Sequence, residues 1–143
     1  MRMRDVLGPK GQQVFTISAD ATLHDAIRTL VQRNIGSLMV VAGGQICGII
    51  TERDILRRAA IAPAGLREDK VRDTMTGQLL TAGMDDGMHE AMDLMTRHRV
   101  RHLPIVENGE IRGLISIGDV VLACLNAVEF ENQQMHNYIH GMA

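Results

Sequence analysis

Two segments place a hydroxyl and a carboxylate three residues apart where an apolar run gives way to a helical pattern: Gly48-Ile49-Ile50-Thr51-Glu52-Arg53-Asp54 and Gly113-Leu114-Ile115-Ser116-Ile117-Gly118-Asp119. A strand-to-helix junction leaves the first backbone N–H groups of the helix without intrahelical partners, which favours a phosphate there. A carboxylate one turn in can accept hydrogen bonds from both hydroxyls of a ribose. The chemistry suits a nucleotide. The same spacing is also the capping box, in which both side chains merely satisfy backbone donors, and Thr22-Leu23-His24-Asp25 fits that pattern with no ligand implied. Both readings are open for Thr51, Asp54, Ser116 and Asp119.

Basic side chains crowd one stretch, with Arg97, His98, Arg99, Arg101 and His102 running from the end of a helical pattern into an apolar run. Arginine presents a forked, permanently charged donor, so Arg101 with His102 is a candidate phosphate clamp. Arg97 and His98 suit the negative end of a helix dipole instead. At the aligned positions of the first segment stand Gly36 and Ser37, so two such sites should differ in affinity, one of them empty or holding a less charged ligand. Arg53 either supplies the missing charge there or is a solvated helix arginine.

Catalysis is not expected, because no nucleophile, base and orienting group can be assembled from these motifs. GxGxxG and GxxxxGK do not occur, and His89-Glu90 lacks the second histidine of a zinc protease. His136 and His140 stand four apart, but two ligands do not close a metal site. His24 and His89 read as packing or cap-adjacent residues.

The candidate segments recur because the chain repeats itself at an offset of 65 residues, from Gly48 to Gly113, without a gap from Thr16–Leu56 to Thr81–Val121. Each copy reads as β-α-β-β-α. Val14 to Ser18 is a short strand, and Asp20 or Thr22 caps a helix with apolar Leu23, Ala26, Ile27, Leu30 and Val31, matched by Met88, Ala91, Met92 and Met95. Leu38–Val41 and Ile46–Ile50 are strands joined at Gly43-Gly44, and Asn108-Gly109 is the corresponding hairpin turn. A second helix follows from Glu52 to about Ala60 and from Ile117 to about Asn126. The fold class is α/β (α+β), with helices covering the sheets. A unit of this size is near the limit for folding alone, so two such units are expected to pack as a pseudo-two-fold pair.

The expected division is an N-terminal segment 1–13, a first repeat 14–61, a linker 62–71 with Pro63 and Gly65, a second repeat 72–126 and a helical tail 127–143. The tail's polar surface suggests an exposed or subunit-bridging helix that stops at Gly141.

Composition narrows the class further. Net charge is −2 and aromatic content 2% with no Trp, so neither phosphate-backbone attraction nor base-stacking platforms for nucleic acid are indicated. Cys47 and Cys124 lie in apolar contexts without metal spacing, as buried free thiols of a reducing compartment would. No run approaches the roughly 20 apolar residues that span a bilayer, so a cytoplasmic protein without membrane association is expected.

The repeat, its element order and the paired G-h-h-[ST]-x-x-D endings resemble the cystathionine-β-synthase (CBS) domain pair, or Bateman module, across Val14 to Asn126. Val71-Arg72-Asp73-Thr74-Met75-Thr76 is similar to the opening of a second CBS repeat, and Val100-Arg101-His102-Leu103-Pro104-Ile105-Val106 to the family's central strand. That resemblance implies a non-catalytic regulatory module with clefts between the repeats for an adenosyl ligand: AMP, ADP, ATP, NAD or S-adenosylmethionine. It implies that Asp54 and Asp119 hold ribose hydroxyls and that Thr51 and Ser116 contact phosphate or ribose. Backbone at Thr16-Ile17 and Thr81-Ala82 would bracket adenine, and Pro104 lies on the same strand as Arg101 and His102. A homodimer and an effector protein acting in trans are further implications. A ligand-independent adaptor working through dimerisation and the tail helix is the alternative.

Overall fold

The computed structural model describes residues 1–8 and 13–141, so residues 9–12 of the N-terminal segment and 142–143 of the tail lie outside the described residues. Two compact units divide the chain, one from Gln13 to Leu80 and the other joining the N-terminal residues to Thr81 and beyond.

In the Gln13–Leu80 unit, β1 (Thr16–Ser18) runs parallel to β2 (Ser37–Ala42), which pairs antiparallel with β3 (Gln45–Thr51). Between them, α2 (Leu23–Arg33) makes the crossover, and α3 (Glu52–Ile61) leaves β3 directly. The hairpin turns at Gly43 and Gly44 with φ of 58° and 77°, the left-handed pair that a two-residue turn requires. Leu38, Val40 and Ile50 face Leu23, Ala26, Leu30 and Ile55 in the core, and Val71 closes it from the next segment. Thr22, rather than Asp20, caps α2: its hydroxyl accepts from Asp25 N at 3.1 Å. At its other end α2 stops on Asn34, a left-handed residue.

The second unit repeats this plan with β4 (Ala82–Gly83), α5 (Met88–His98), β5 (His102–Glu107) and β6 (Glu110–Ser116), followed by α6 (Ile117–Ile139). Asn108 and Gly109 take the left-handed turn, and Arg99 stops α5 as Asn34 stops α2. In both sheets the register slips after the fourth pair, leaving Cys47 and Arg112 as the extra residues of matching bulges.

One difference between the sheets has a simple cause. In the first, Met39 N donates to Phe15 O at 3.1 Å, extending the β1 ladder to Thr16. Met39 corresponds to Pro104, which has no N–H, so the second ladder starts one residue later, at Ala82 opposite Ile105.

Each unit also contains a short helix that the 65-residue offset did not announce. The helix α4 (Val71–Thr74) docks on the first unit, where Val71 N donates to Ala21 O at 2.8 Å and Arg72 N to Ala19 O at 3.1 Å. Its counterpart α1 (Met3–Leu7) docks on the second unit, where Met3 N donates to Asp86 O at 2.9 Å and Arg4 N to Met84 O at 2.8 Å. Met3 and Leu7 are fully buried there. Leu23 N to Asp69 O and Met88 N to Met1 O complete the correspondence, at 2.8 and 2.9 Å. A second repeated unit thus extends to sequence outside the matched blocks.

Candidate functional site

The two junctions have one geometry. Thr51 ends β3 and caps α3 with extended backbone; its Oγ1 accepts from Asp54 N at 3.2 Å and donates to Asp54 Oδ2 at 3.0 Å. Thr51 N donates to the same Asp54 oxygen at 2.9 Å. Ser116 ends β6 and caps α6 in the same way, accepting from Asp119 N at 3.1 Å while its own N donates to Asp119 Oδ2 at 2.8 Å. All four residues are half-buried. The capping reading of the sequence is therefore realised at both junctions.

Neighbouring strands bring further residues to each junction. Ser37 pairs with Thr51 across β2 and β3, and Gly36 O accepts from Glu52 N at 3.0 Å. In the second unit His102 pairs with Ser116, and Arg101 O accepts from Ile117 N at 2.9 Å. Four of the expected residues, Arg101, His102, Ser116 and Asp119, thus meet at one strand-to-helix junction. The Arg101 side chain is exposed and His102 is half-buried. Arg53 is exposed in the first turn of α3, and its counterpart is Gly118, so the cationic side chain changes sides between the two junctions.

The remaining expected residues lie elsewhere on the sheets. Thr16 and Ile17 form β1, on the far edge of β2 from Thr51, and Thr81 stands exposed just before β4. Pro104 is buried in β5 opposite Leu114. Arg97 pairs with Asp93 one turn earlier on α5, and Arg99 holds the left-handed stop of that helix. Both have local structural roles.

Sequence reading missed the residues that pack on the central glycines of β3 and β6. A β-carbon at Gly48 would stand 2.6 Å from Met75 Sδ and 2.8 Å from Thr76 O, and one at Gly113 would stand 2.5 Å from Leu7 Cδ2. The glycines that open the two G-h-h-[ST]-x-x-D segments are thus the seats of the α4 and α1 segments. A signal existed in Met3-Arg4-Asp5-Val6-Leu7 beside Val71-Arg72-Asp73-Thr74-Met75, where Arg and Asp recur between apolar residues. Among the described residues no cluster of three or more His, Cys, Asp or Glu could hold a metal, and no helix is long and apolar enough to cross a membrane.

Comparison with known proteins identifies the family and the fold. The chain matches the CBS domain family over residues 4–61 and 71–126. It is 36% identical over 146 residues to a mitochondrial CBS domain-containing protein of Arabidopsis thaliana, covering 96% of this chain and 71% of that protein. The crystal structure of a CBS-domain containing protein from Agrobacterium tumefaciens superposes with a TM-score of 0.83 at 35% identity, covering 86% of this chain and 98% of that one. A CBS domain pair solved in complex with 5′-methylthioadenosine and S-adenosyl-L-methionine shares the fold, with a TM-score of 0.75 at 22% identity over 86% of this chain and 98% of that one.

Proposed function

The chain belongs to the CBS domain family as a tandem pair of repeats spanning nearly its whole length, and from that premise we propose that it is a non-catalytic regulatory module that binds an adenosyl compound at its strand-to-helix junctions. The observation that carries this reading is the doubled constellation of Thr51 with Asp54 and Ser116 with Asp119. In each, the capping box fixes a carboxylate beside the positive end of a helix, where phosphate and ribose would both find partners. In both boxes the Oδ2 atom of the carboxylate accepts from the capping residue's N–H. Its rotamer is set before any ligand arrives, so little ordering entropy would be lost on binding.

The two junctions differ in charge, and that difference assigns them separate parts. Arg101 and His102 flank Ser116, so the second junction would take the phosphorylated or otherwise charged end of a ligand. Gly36 and Ser37 flank Thr51, leaving Arg53 as the cation there and favouring a ligand with less negative charge. The adenosyl class is supported by the 5′-methylthioadenosine and S-adenosyl-L-methionine held by the CBS pair of the same fold. Binding would shift the population of a conformation that an effector protein reads in trans, and a homodimer is part of the same reading. The half-buried free cysteines Cys47 and Cys124 suit a reducing compartment such as the cytoplasm.

A ligand-independent adaptor is the second reading. It is favoured by the capping box at Thr22 and Asp25, which makes the same two backbone N–H hydrogen bonds as the two junction boxes. A thermal-shift screen against AMP, ATP, NAD, S-adenosylmethionine, 5′-methylthioadenosine and GTP separates the two. At about 100 times its dissociation constant a ligand adds roughly 2.7 kcal/mol of stability. A rise with adenosyl compounds and none with GTP is expected. Flat melting curves throughout would leave the adaptor.

A further inference from the structure

From the exposed seam of α6 we infer that the helix pairs with α6 of a second copy as a parallel, in-register two-stranded coiled coil centred on Asn132. This inference deepens the homodimer part of the reading above and is independent of ligand. Helix α6 runs 23 residues, yet Val120 is its only buried residue among those described. One face is occupied: Cys124 Sγ lies 3.6 Å from Met88 Sδ and 3.8 Å from Met92 Sδ of α5. At 3.6 residues per turn, a separate stripe lies roughly a quarter to a third of a turn around the helix from that face. It carries Val121, Leu125, Val128, Met135 and Ile139, which are 48%, 60%, 55%, 61% and 71% exposed.

The spacing of this stripe is that of a coiled coil. Steps of four and three lead from Val121 through Leu125, Val128, Asn132 and Met135 to Ile139, so Leu125, Asn132 and Ile139 take a positions and Val121, Val128 and Met135 take d. A single asparagine at an a position pairs with its own copy across a parallel dimer, fixing register and two-strandedness. In an antiparallel pair it would face an apolar d residue and lose that partner. The flanking polar groups agree, because Glu131 at g, an acceptor, meets His136 at e, an imidazole donor, of the opposite helix in the parallel arrangement. A membrane surface is a poor occupant, since no Lys or Arg follows Arg112 in the sequence. The seam is self-complementary and needs nothing from another protein.

The test uses the full chain in sedimentation equilibrium. A dimer is expected, and Val128→Glu with Met135→Glu should weaken it at least a hundredfold while leaving the circular dichroism of the protomer unchanged, both side chains being exposed. Ile139→Cys, oxidised and mapped by mass spectrometry, should give a disulfide from position 139 to itself, which reports the parallel register from the last a position of the seam. A monomer at every concentration overturns the inference. A dimer indifferent to the double substitution also overturns it, while leaving the homodimer reading in place with its interface elsewhere. Failure of position 139 to link to itself overturns the parallel arrangement.

Discussion

Arg4 holds Asp85 through Nε and Nη2, each 3.0 Å from the same carboxylate oxygen, and Arg72 pairs with Asp20 at the corresponding place in the other unit. Asp20 and Asp85 are partners in the 65-residue repeat, so these ion pairs fasten α4 and α1 to equivalent corners of the two sheets. They also carry a prediction about acid.

The Arg4 side-chain hydrogen bond, with its charge, holds the Asp85 carboxyl below its ordinary value of 3.8. Asp25 is held low as well, chiefly by the Thr22 backbone N–H that donates to it. A carboxyl with a depressed folded pKa contributes stability that is present above its unfolded value and lost as pH falls through the folded one. Stability should therefore decline below about pH 4. Denaturant midpoints of Asp85→Asn should be lower than wild type at about pH 5, and the deficit should shrink as pH falls below about 4. A constant difference across that range would remove the Arg4 pair as the cause.

Gly48 and Gly113 occupy the same place in the repeat but face different obstacles. A methyl group at Gly48 meets a backbone oxygen, Thr76 O, whereas at Gly113 it meets the end of the Leu7 side chain. Thr76 is tied in turn to Ile49 by hydrogen bonds of 2.9 and 3.0 Å and has little room to retreat. Gly48→Ala should cost about 2–3 kcal/mol and Gly113→Ala about 1 kcal/mol in equilibrium unfolding. The reverse order would contradict the seating of the two helices.

Arg99 is expected to respond to glycine. It stops α5 at φ of 55°, where a β-carbon is disfavoured, while Asn34 stops α2 at φ of 53° with a residue better suited to that region. Arg99→Gly should raise stability by about 0.5–1 kcal/mol, and Asn34→Gly by less. Thermal denaturation of both variants checks the order.

Arg101 distinguishes phosphate from nucleoside. If its guanidinium addresses phosphate, Arg101→Ala should weaken AMP or ATP by roughly tenfold while changing adenosine little, since one charge-assisted hydrogen bond is worth about 1.5 kcal/mol or more. Equal losses for all three ligands would strip it of that role.

Much of the fold could be read before the structure was seen, because the signals were local. Gly43-Gly44 and Asn108-Gly109 demanded left-handed turns, and the apolar stripes of α2 and α5 demanded a buried face. What was hidden depended on distance along the chain. Met3 to Leu7 resembles Val71 to Met75, but the segments between each helix and its unit differ in length, so no single offset aligns both with the rest of the repeat. The β1 strand is shorter than Val14 to Ser18 because pairing with β2 starts only at Thr16. The candidate site was legible as residue types. Thr51 with Asp54 satisfies the same backbone donors as Thr22 with Asp25, so local pattern alone cannot separate a cap that also binds from one that only caps.

Titration calorimetry with an adenosyl ligand, on wild type, Asp119→Ala and Asp25→Ala, makes that separation. Both substitutions remove a capping carboxylate and should cost about 1 kcal/mol of stability, but only Asp119 stands at a junction proposed to bind. The account predicts measurable binding to wild type, at least roughly tenfold weaker binding to Asp119→Ala, and unchanged binding to Asp25→Ala. No binding by wild type, or equal affinity in Asp119→Ala, would contradict it.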